Sequence, residues 1–277
     1  MRLNIDWKKT MLITFDIFIM VYLVMAVTAW HNPTRKALAC TKVNINIADD
    51  EENGFLNPAE VKRLLEKNGL YPLSEPIKNI DPRDIENRLA KMPFVNTAQC
   101  YVTKEGHVCI TITQRTPIVR VKSATGDDYY VDDNGGVMPN SQYTSNMIIA
   151  TGSITRAYAC NYLSVMTQCI MDDDLWRNEV EQINILPDRT VELIPRIGDH
   201  IINIGAIPMS SDKKDRDSKV YEYVANQLKR LEEFYKYGLS QAGWNKYSYI
   251  SLEYSNQIVC RKKGESETAN VQQASVQ

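Results

Sequence analysis

The sequence predicts an α+β chain: an N-terminal transmembrane helix, then a compact βααββ module, then a mixed β-rich domain with an antiparallel meander and two helices. Three observations lead there. Met11 to Trp30 is apolar almost throughout, roughly the 20 residues a bilayer-crossing helix needs. Between residues 41 and 116, two helices with complete start and stop signals are framed by strands of alternating polarity. After Pro117, short alternating segments separated by Gly, Pro, Asn and Asp dominate, interrupted by two stretches of helical period.

The apolar run would span about 30 Å as a helix, the thickness of the hydrocarbon core. Lipid offers backbone groups no partner, so the run should be helical. Asp16, the one charge inside it, lies near the end flanked by Lys8 and Lys9, where its carboxylate can reach the headgroups. The leader, residues 1–10, carries Arg2, Lys8 and Lys9 against Asp6 and favours a cytoplasmic N-terminus. A linker, residues 31–40, follows. Its Ala37-Leu38-Ala39-Cys40 imitates a cleavage site, but the run is long for a signal segment and His31 to Lys36 separate the two. The expectation is an uncleaved single-pass anchor in the inner membrane, with the bulk of the chain in the periplasm.

With 32 Lys and Arg against 34 Asp and Glu, the charge balance carries no nucleic-acid footprint. Six cysteines in an exported chain invite a disulfide framework. Strand alternation opposes the tempting pair: Ala98, Cys100 and Val102 share one face, and a three-residue loop with Gly106 at its left-handed position sets Cys100 opposite Ile110, turning Cys109 away. Mostly free, packed thiols are expected, and neither they nor the three histidines show metal-ligand spacing.

The module, residues 41–116, opens on a strand from Thr41 to Ala48 with Val43, Ile45 and Ile47 on one face. An acidic turn, Asp49 to Gly54, lacks calcium-loop spacing. Asn57 then caps a helix with Pro58 at its first position and Glu60 at its third; Val61, Leu64 and Leu65 form the buried stripe and Gly69 ends it. Asp81, Pro82 and Asp84 repeat that grammar for a second helix, with Ile85 and Leu89 inward and a stop at Met92-Pro93. Strands Val95 to Val102 and Val108 to Gln114 complete a three-stranded sheet covered by two helices.

In the second domain, residues 117–263, Ile118, Val119 and Val121 begin a strand and Tyr129 to Val131 a second, turning at Asp133-Asn134-Gly135-Gly136 into Val137. The nearby aspartates read as turn formers, not as a metal cluster. Met147 to Ala150 is a strand, and Tyr158 to Ile170 a helix holding Cys160 and Cys169. Val180 to Leu186, Thr190 to Ile194 and His200 to Ile204 form the meander. Ser218 to Tyr237 is an amphipathic helix whose Val220, Val224, Leu228 and Leu231 should pack on it. Tyr249 to Tyr254 and Gln257 to Cys260 read as closing strands about Ser255-Asn256, before a polar, disordered tail, residues 264–277.

The sequence carries no catalytic constellation. Ser210 and Lys213 have a Ser-x-x-Lys spacing, but they lie in a charged loop and lack the companion motifs of penicillin-binding enzymes. There is no nucleophile elbow, phosphate loop or paired-His site. The expectation is therefore a binding protein: no catalytic residues, no cofactor, no metal and no small-molecule substrate.

The order of parts, together with Met92-Pro93-Phe94-Val95-x-x-Ala98, the strand Val108 to Ile112 running on to Arg115-Thr116-Pro117-Ile118-Val119, Tyr130-Val131-Asp132-x-x-Gly135, and Tyr249-Ile250-Ser251-Leu252-Glu253-Tyr254-Ser255-Asn256, resembles the bacterial cell-division family FtsQ/DivIB. Ser251, Glu253 and Gln257 depart from its closing motif, where Asp, Arg and Gly are usual. The resemblance implies a POTRA domain followed by the family's β domain. It further implies a non-catalytic divisome scaffold that binds the small bitopic coiled-coil proteins FtsB and FtsL and helps regulate the septal peptidoglycan synthase pair. Two other classes compete: a POTRA-bearing component of protein export or outer-membrane assembly, which requires a C-terminal barrel, and an anchored cell-wall enzyme using Ser210.

The partner site is expected on the closing hairpin. Gln257 to Arg261 would be the last strand of its sheet, and an open edge invites an added partner strand. Tyr254 is the first choice for an anchor, since its ring offers apolar area and a hydroxyl. Asn256, Gln257, Ile258, Val259 and Arg261 complete the site, with Arg189, at a turn expected to lie alongside, for an acidic partner residue. The resemblance implies FtsB as the added strand.

Overall fold

The structure, a computed structural model, describes residues 7–30, 38–48, 54–141 and 147–264. The first residues of the leader, most of the linker, most of the acidic turn and the polar tail lie outside the described residues. Helix α1 (Trp7–Trp30) covers the apolar run. Among the described residues no helix is long and apolar enough to cross a membrane.

The chain divides into two units: Met1–Ala48, Asn57–Lys91 and Thr97–Ile112 form the first, and Asp49–Leu56, Met92–Asn96 and Thr113–Gln277 the second. In the first, β1 (Lys42–Ile47), β2 (Val95–Val102) and β3 (His107–Gln114) lie in the order β1-β3-β2, with β1 parallel to β3. The helices are α2 (Pro58–Lys67) and α3 (Pro82–Leu89). Asn57 and Asp81 cap them as expected, each side chain accepting an N–H two residues on, at 2.9 Å from Ala59 and 2.9 Å from Arg83. Val61, Leu65, Ile85 and Leu89 are buried with Ile110 and Ile112. Gly106 has φ +86° and Thr103 N–H donates to His107 O, so Cys100 is buried while Cys109 is part-exposed. Residues 38–40, expected in the linker, bond to 74–77 and bury Cys40. All six cysteines are free thiols.

In the second unit the sheet order is β12-β11-β10-β9-β8-β7-β4-β5-β6. Its strands are β4 (Pro117–Ser123), β5 (Asp128–Asp132), β6 (Val137–Pro139), β7 (Ile148–Gly152), β8 (Val180–Ile185), β9 (Thr190–Pro195), β10 (Ile201–Ala206), β11 (Tyr247–Ser251) and β12 (Val259–Lys262). The meander β8-β9-β10 is antiparallel as expected, whereas β4–β7, β7–β8 and β10–β11 pair in parallel, the first across the β5-β6 excursion and the other two through helical crossovers. The first crossover is α4, made of Arg156–Tyr158, a π-turn Ala159–Leu163 and Ser164–Asp172, followed by α5 (Asp174–Glu179). The sequence reading missed α5, in which Asp173 caps with bonds to Leu175 and Trp176 N–H. The second crossover is α6 (Lys213–Phe234), which starts before the expected Ser218 because Asp212 caps it by accepting from Asp215 N–H. Val220, Val224, Leu228 and Leu231 join Ile183, Val191, Leu193, Ile202 and Ile250 in one core, as their helical spacing predicts.

The Asp133–Gly136 turn forms where expected, and its anchor is ionic. Asp132, 3% exposed, takes Arg115 Nε at 2.6 Å and the Asn134 and Gly136 N–H groups, while Arg115 Nη1 also reaches Pro93 O at 2.9 Å. The charge is buried with its hydrogen bonds satisfied, the condition under which such a pair holds a fold in register.

Candidate partner-binding edge

The sheet ends at β12, whose neighbour is β11; Tyr249 pairs with Arg261, Ile250 with Cys260 and Ser251 with Val259. Among the described residues no strand follows β12 in that order. A short terminal strand with a polar sequence after it is the kind of edge that tolerates exposure yet accepts a further strand.

The expected tight hairpin is not what forms. The strands stop at Ser251 and resume at Val259, so Tyr254, Asn256, Gln257 and Ile258 belong to a loop from Leu252 to Ile258. The cause lies on α6. Arg230 Nη1 donates to Leu252 O at 2.9 Å, and its Nη2 to Tyr254 O at 2.6 Å and Gln257 O at 3.2 Å. Carbonyls that a strand ladder would use are thus spent on a guanidinium fork, which bends the chain around itself. Gln227 Oε1 accepts from Arg230 Nη1 at 2.7 Å and holds the fork in place.

Arg230 ends a polar stripe on the flank of the buried face. Tyr223 Oη donates to Ile204 O at 2.6 Å, Gln227 Nε2 to the same carbonyl at 3.3 Å, and Arg230 to the loop. Positions 223, 227 and 230 are i, i+4 and i+7, one side of a helix. That spacing was readable in the sequence, but the identity of its acceptors was not. Ile204 is the bulged residue of β10, and the next residue, Gly205, has φ +83° and packs so closely that a Cβ would meet Tyr223 Oη at 2.7 Å. Asn203 O, on the same strand, takes Leu252 N–H at 2.8 Å. The helix therefore fixes both the bulge and the start of the loop.

Of the expected site residues, the structure brings together all but one. Tyr254 is 53% and Val259 42% exposed, Asn256 and Gln257 are exposed, and Ile258 is half-buried against the core. A groove of about 470 Å³ runs between Asn256 to Ile258 and the end of α6 with the π-turn Tyr235–Leu239 that continues it, where Phe234 and the exposed Tyr237 line it. Sequence reasoning missed Tyr237 because it assigned that residue to the packing helix. The Arg261 guanidinium lies 5.0 Å from the centre of the Tyr249 ring, and Tyr249 Oη bonds to Glu192, itself bonded to Asn184. Burial, then Glu192, pushes the Tyr249 phenol up from its usual range.

Arg189 is the exception. It sits at φ +70° in the turn from β8 to β9, its N–H bonded to Leu186 O. In the sheet, β10 and β11 separate β9 from β12, roughly 14 Å at about 4.8 Å per strand. Chain order suggested adjacency; the meander's own β10 and, by the parallel crossover, β11 stand between them.

At its far end β12 is tied down by Lys263, whose Nζ donates to Asp199 Oδ2 at 2.9 Å and holds that carboxyl below the usual carboxylate range. Ser210, the sole nucleophile candidate from the sequence, donates its hydroxyl to Asp215 Oδ2 at 2.7 Å, so a carboxylate and not Lys213 is its partner.

Against known families, residues 38–113 match the model described as a POTRA-like domain. Residues 116–261, more than half of the chain, match the one described as FtsQ/DivIB, C-terminal related. No curated protein matches the chain at a significant level.

Proposed function

The chain belongs to the FtsQ/DivIB family, and from that premise we propose that it is a non-catalytic scaffold of cell division, held in the cytoplasmic membrane by α1 with its N-terminus inside and both folded units in the periplasm. It binds FtsB- and FtsL-type bitopic proteins and through them helps regulate septal peptidoglycan synthesis. The observation that carries this reading is the end of the sheet: a terminal strand, β12, beside a groove in which Phe234, Tyr237 and Ile258 sit among polar residues, and a loop that Arg230 holds in shape. An extended partner segment extends the ladder at β12, and its side chains find Val259, Tyr254, Ile258 and Tyr237. Asn256, Gln257 and Arg261 supply the polar rim. The membrane anchor is supported by α1, apolar on every face, whose large apolar side chains from Met11 to Met25 are all exposed, an arrangement that water disfavours and lipid accepts. A POTRA-like region alone fits an export component equally well; the family match over the second unit favours the scaffold.

Val259→Asp, at the exposed first residue of β12, tests the site. Full-length protein in detergent is expected to lose at least about tenfold in affinity for an FtsB-type partner, through a buried carboxylate facing the added strand. Tyr254→Ala should lose a comparable amount. Unchanged capture by both folded variants would remove the edge from consideration. A proline at Ile258 is less informative, because that residue precedes the strand.

A further inference from the structure

His200 sits at the head of β10, between the core and the end of β12 that Lys263 ties down. It is 3% exposed, and aromatic rings enclose its imidazole. The ring centres of His200 and Tyr235 are 5.7 Å apart, edge to face, and Tyr235 packs in turn against Trp176 of α5 at 5.7 Å and Trp244 at 5.1 Å. Gly198, at φ +95°, covers the imidazole so closely that a Cβ would stand 2.6 Å from Cε1 and 2.7 Å from Nδ1. Nε2 lies 2.7 Å from Tyr235 Oη, while Nδ1, itself buried, has no partner among the described residues.

This box suits a neutral ring and not a charged one. A neutral imidazole bonds through Nε2 and leaves one nitrogen unpaired. An imidazolium has two donors, one of them without an acceptor, and carries a charge out of water. The titratable and charged groups about it are Tyr235, Glu179, Asp199 and Lys263. Burial, then Glu179 at the end of α5, raises the Tyr235 phenol, which therefore offers the ring no anion. Burial, then Lys263, lowers the imidazole pKa from 6.5, and Asp199 opposes them.

Asp199 and Lys263 are also the pair that fastens β12. Lys263 Nζ donates to Asp199 Oδ2 at 2.9 Å, and Lys263 N–H to Lys246 O at 3.1 Å. The Asp199 side chain, 84% exposed, has room to turn towards its neighbour His200. A protonated ring leaving the box meets that carboxylate first, competes with Lys263 for it and repels the ammonium. We propose that His200 is a pH switch on the partner-binding edge: neutral, it holds the β9–β10 turn and the Asp199–Lys263 clasp; protonated, it leaves the box, draws Asp199 away and loosens the end of β12. Its effect on binding rests on β12 being the partner edge; the switch itself is a property of this chain alone. The neutral form holds at pH 7, and the clasp opens below pH 6.5.

An NMR titration of the full chain in detergent, from pH 7.5 to pH 4.5, reads the switch without a partner. The His200 ring, assigned by the signal lost in His200→Gln, should titrate in that range with a midpoint below 6.5, and the amides of Val259 to Lys263 should move with the same midpoint. In His200→Gln, whose side chain stays neutral, those amides should hold still down to pH 5. Lys263→Gln opens the clasp at every pH: the His200 midpoint should rise, because the opposing cation is gone, and the β12 amides should no longer follow it. That variant decides the matter if His200→Gln does not fold. Affinity for an FtsB-type partner should fall by a further factor of about two to five between pH 7.5 and pH 5 relative to His200→Gln, the worth of an exposed ion pair. A His200 that does not titrate above pH 4.5, β12 amides that ignore it, or an unchanged midpoint in Lys263→Gln would each overturn the proposal. So would equal pH dependence of binding in both proteins. A partner that binds away from β12 would instead overturn the scaffold edge and leave the NMR result standing.

Discussion

Replacing Arg230 by Met should loosen the Leu252–Ile258 loop while sparing the sheet. The side chain keeps most of its apolar length but loses donors to three carbonyls and to Gln227. Leu252 is fully buried, so its carbonyl loses a partner that water cannot replace, a cost of about 1–3 kcal/mol. Tyr254 and Gln257 are exposed; water takes over at their carbonyls, and each contributes only about 0.5 kcal/mol. The expected loss of folding stability is thus about 2–4 kcal/mol. If the freed loop must be reordered on binding, restoring the equivalent of two residues costs about 2–3 kcal/mol, a drop in partner affinity of roughly 30- to 150-fold. Hydrogen exchange by mass spectrometry is the direct assay: amides of 252–258 should exchange faster, with those of β9 and the middle of α6 unchanged. Arg230→Lys should restore little, because an ammonium engages one carbonyl at a time where the fork serves three. Unaltered exchange in 252–258, or full rescue by Lys, would refute the idea that the fork shapes this loop.

Two further outcomes are expected. Leu89→Ala, at a fully buried position of α3, should destabilise the first unit by roughly 2–4 kcal/mol; an unchanged thermal transition of the full chain would refute its place in the core. His200, 3% exposed, has Nε2 2.7 Å from Tyr235 Oη and no partner at Nδ1, and burial, reinforced by Lys263 and opposed by Asp199, lowers its pKa from 6.5. A base with a depressed folded pKa contributes stability that is present above the unfolded value and lost as pH falls from there through the folded value. Urea midpoints should therefore drop between pH 7 and pH 5, and drop less in His200→Gln; an equal drop in both proteins would exclude this histidine as the source.

Features whose causes lie within a few residues were legible in the sequence. Asn57 and Asp81 cap helices through bonds to the second residue on, Gly106 turns a hairpin because it tolerates φ +86°, and the Asp133–Gly136 turn closes on its own chain. The stripe of Val220, Val224, Leu228 and Leu231 announced the buried face of α6 by its period alone. Tertiary structure decided what those elements meet. The parallel pairings of β7 with β8 and β10 with β11 join strands separated by whole helices, and the second of them keeps Arg189 away from β12. Arg230 finds its acceptors 22, 24 and 27 residues further on, and so converts an expected two-residue hairpin into a clamped loop. Arg216 likewise meets Tyr162 across two elements. Local sequence sets dihedral preferences and periodicity, which act over one turn of chain. A side chain's long-range partner depends on how crossovers order the strands, and that order follows from burying every apolar face at once.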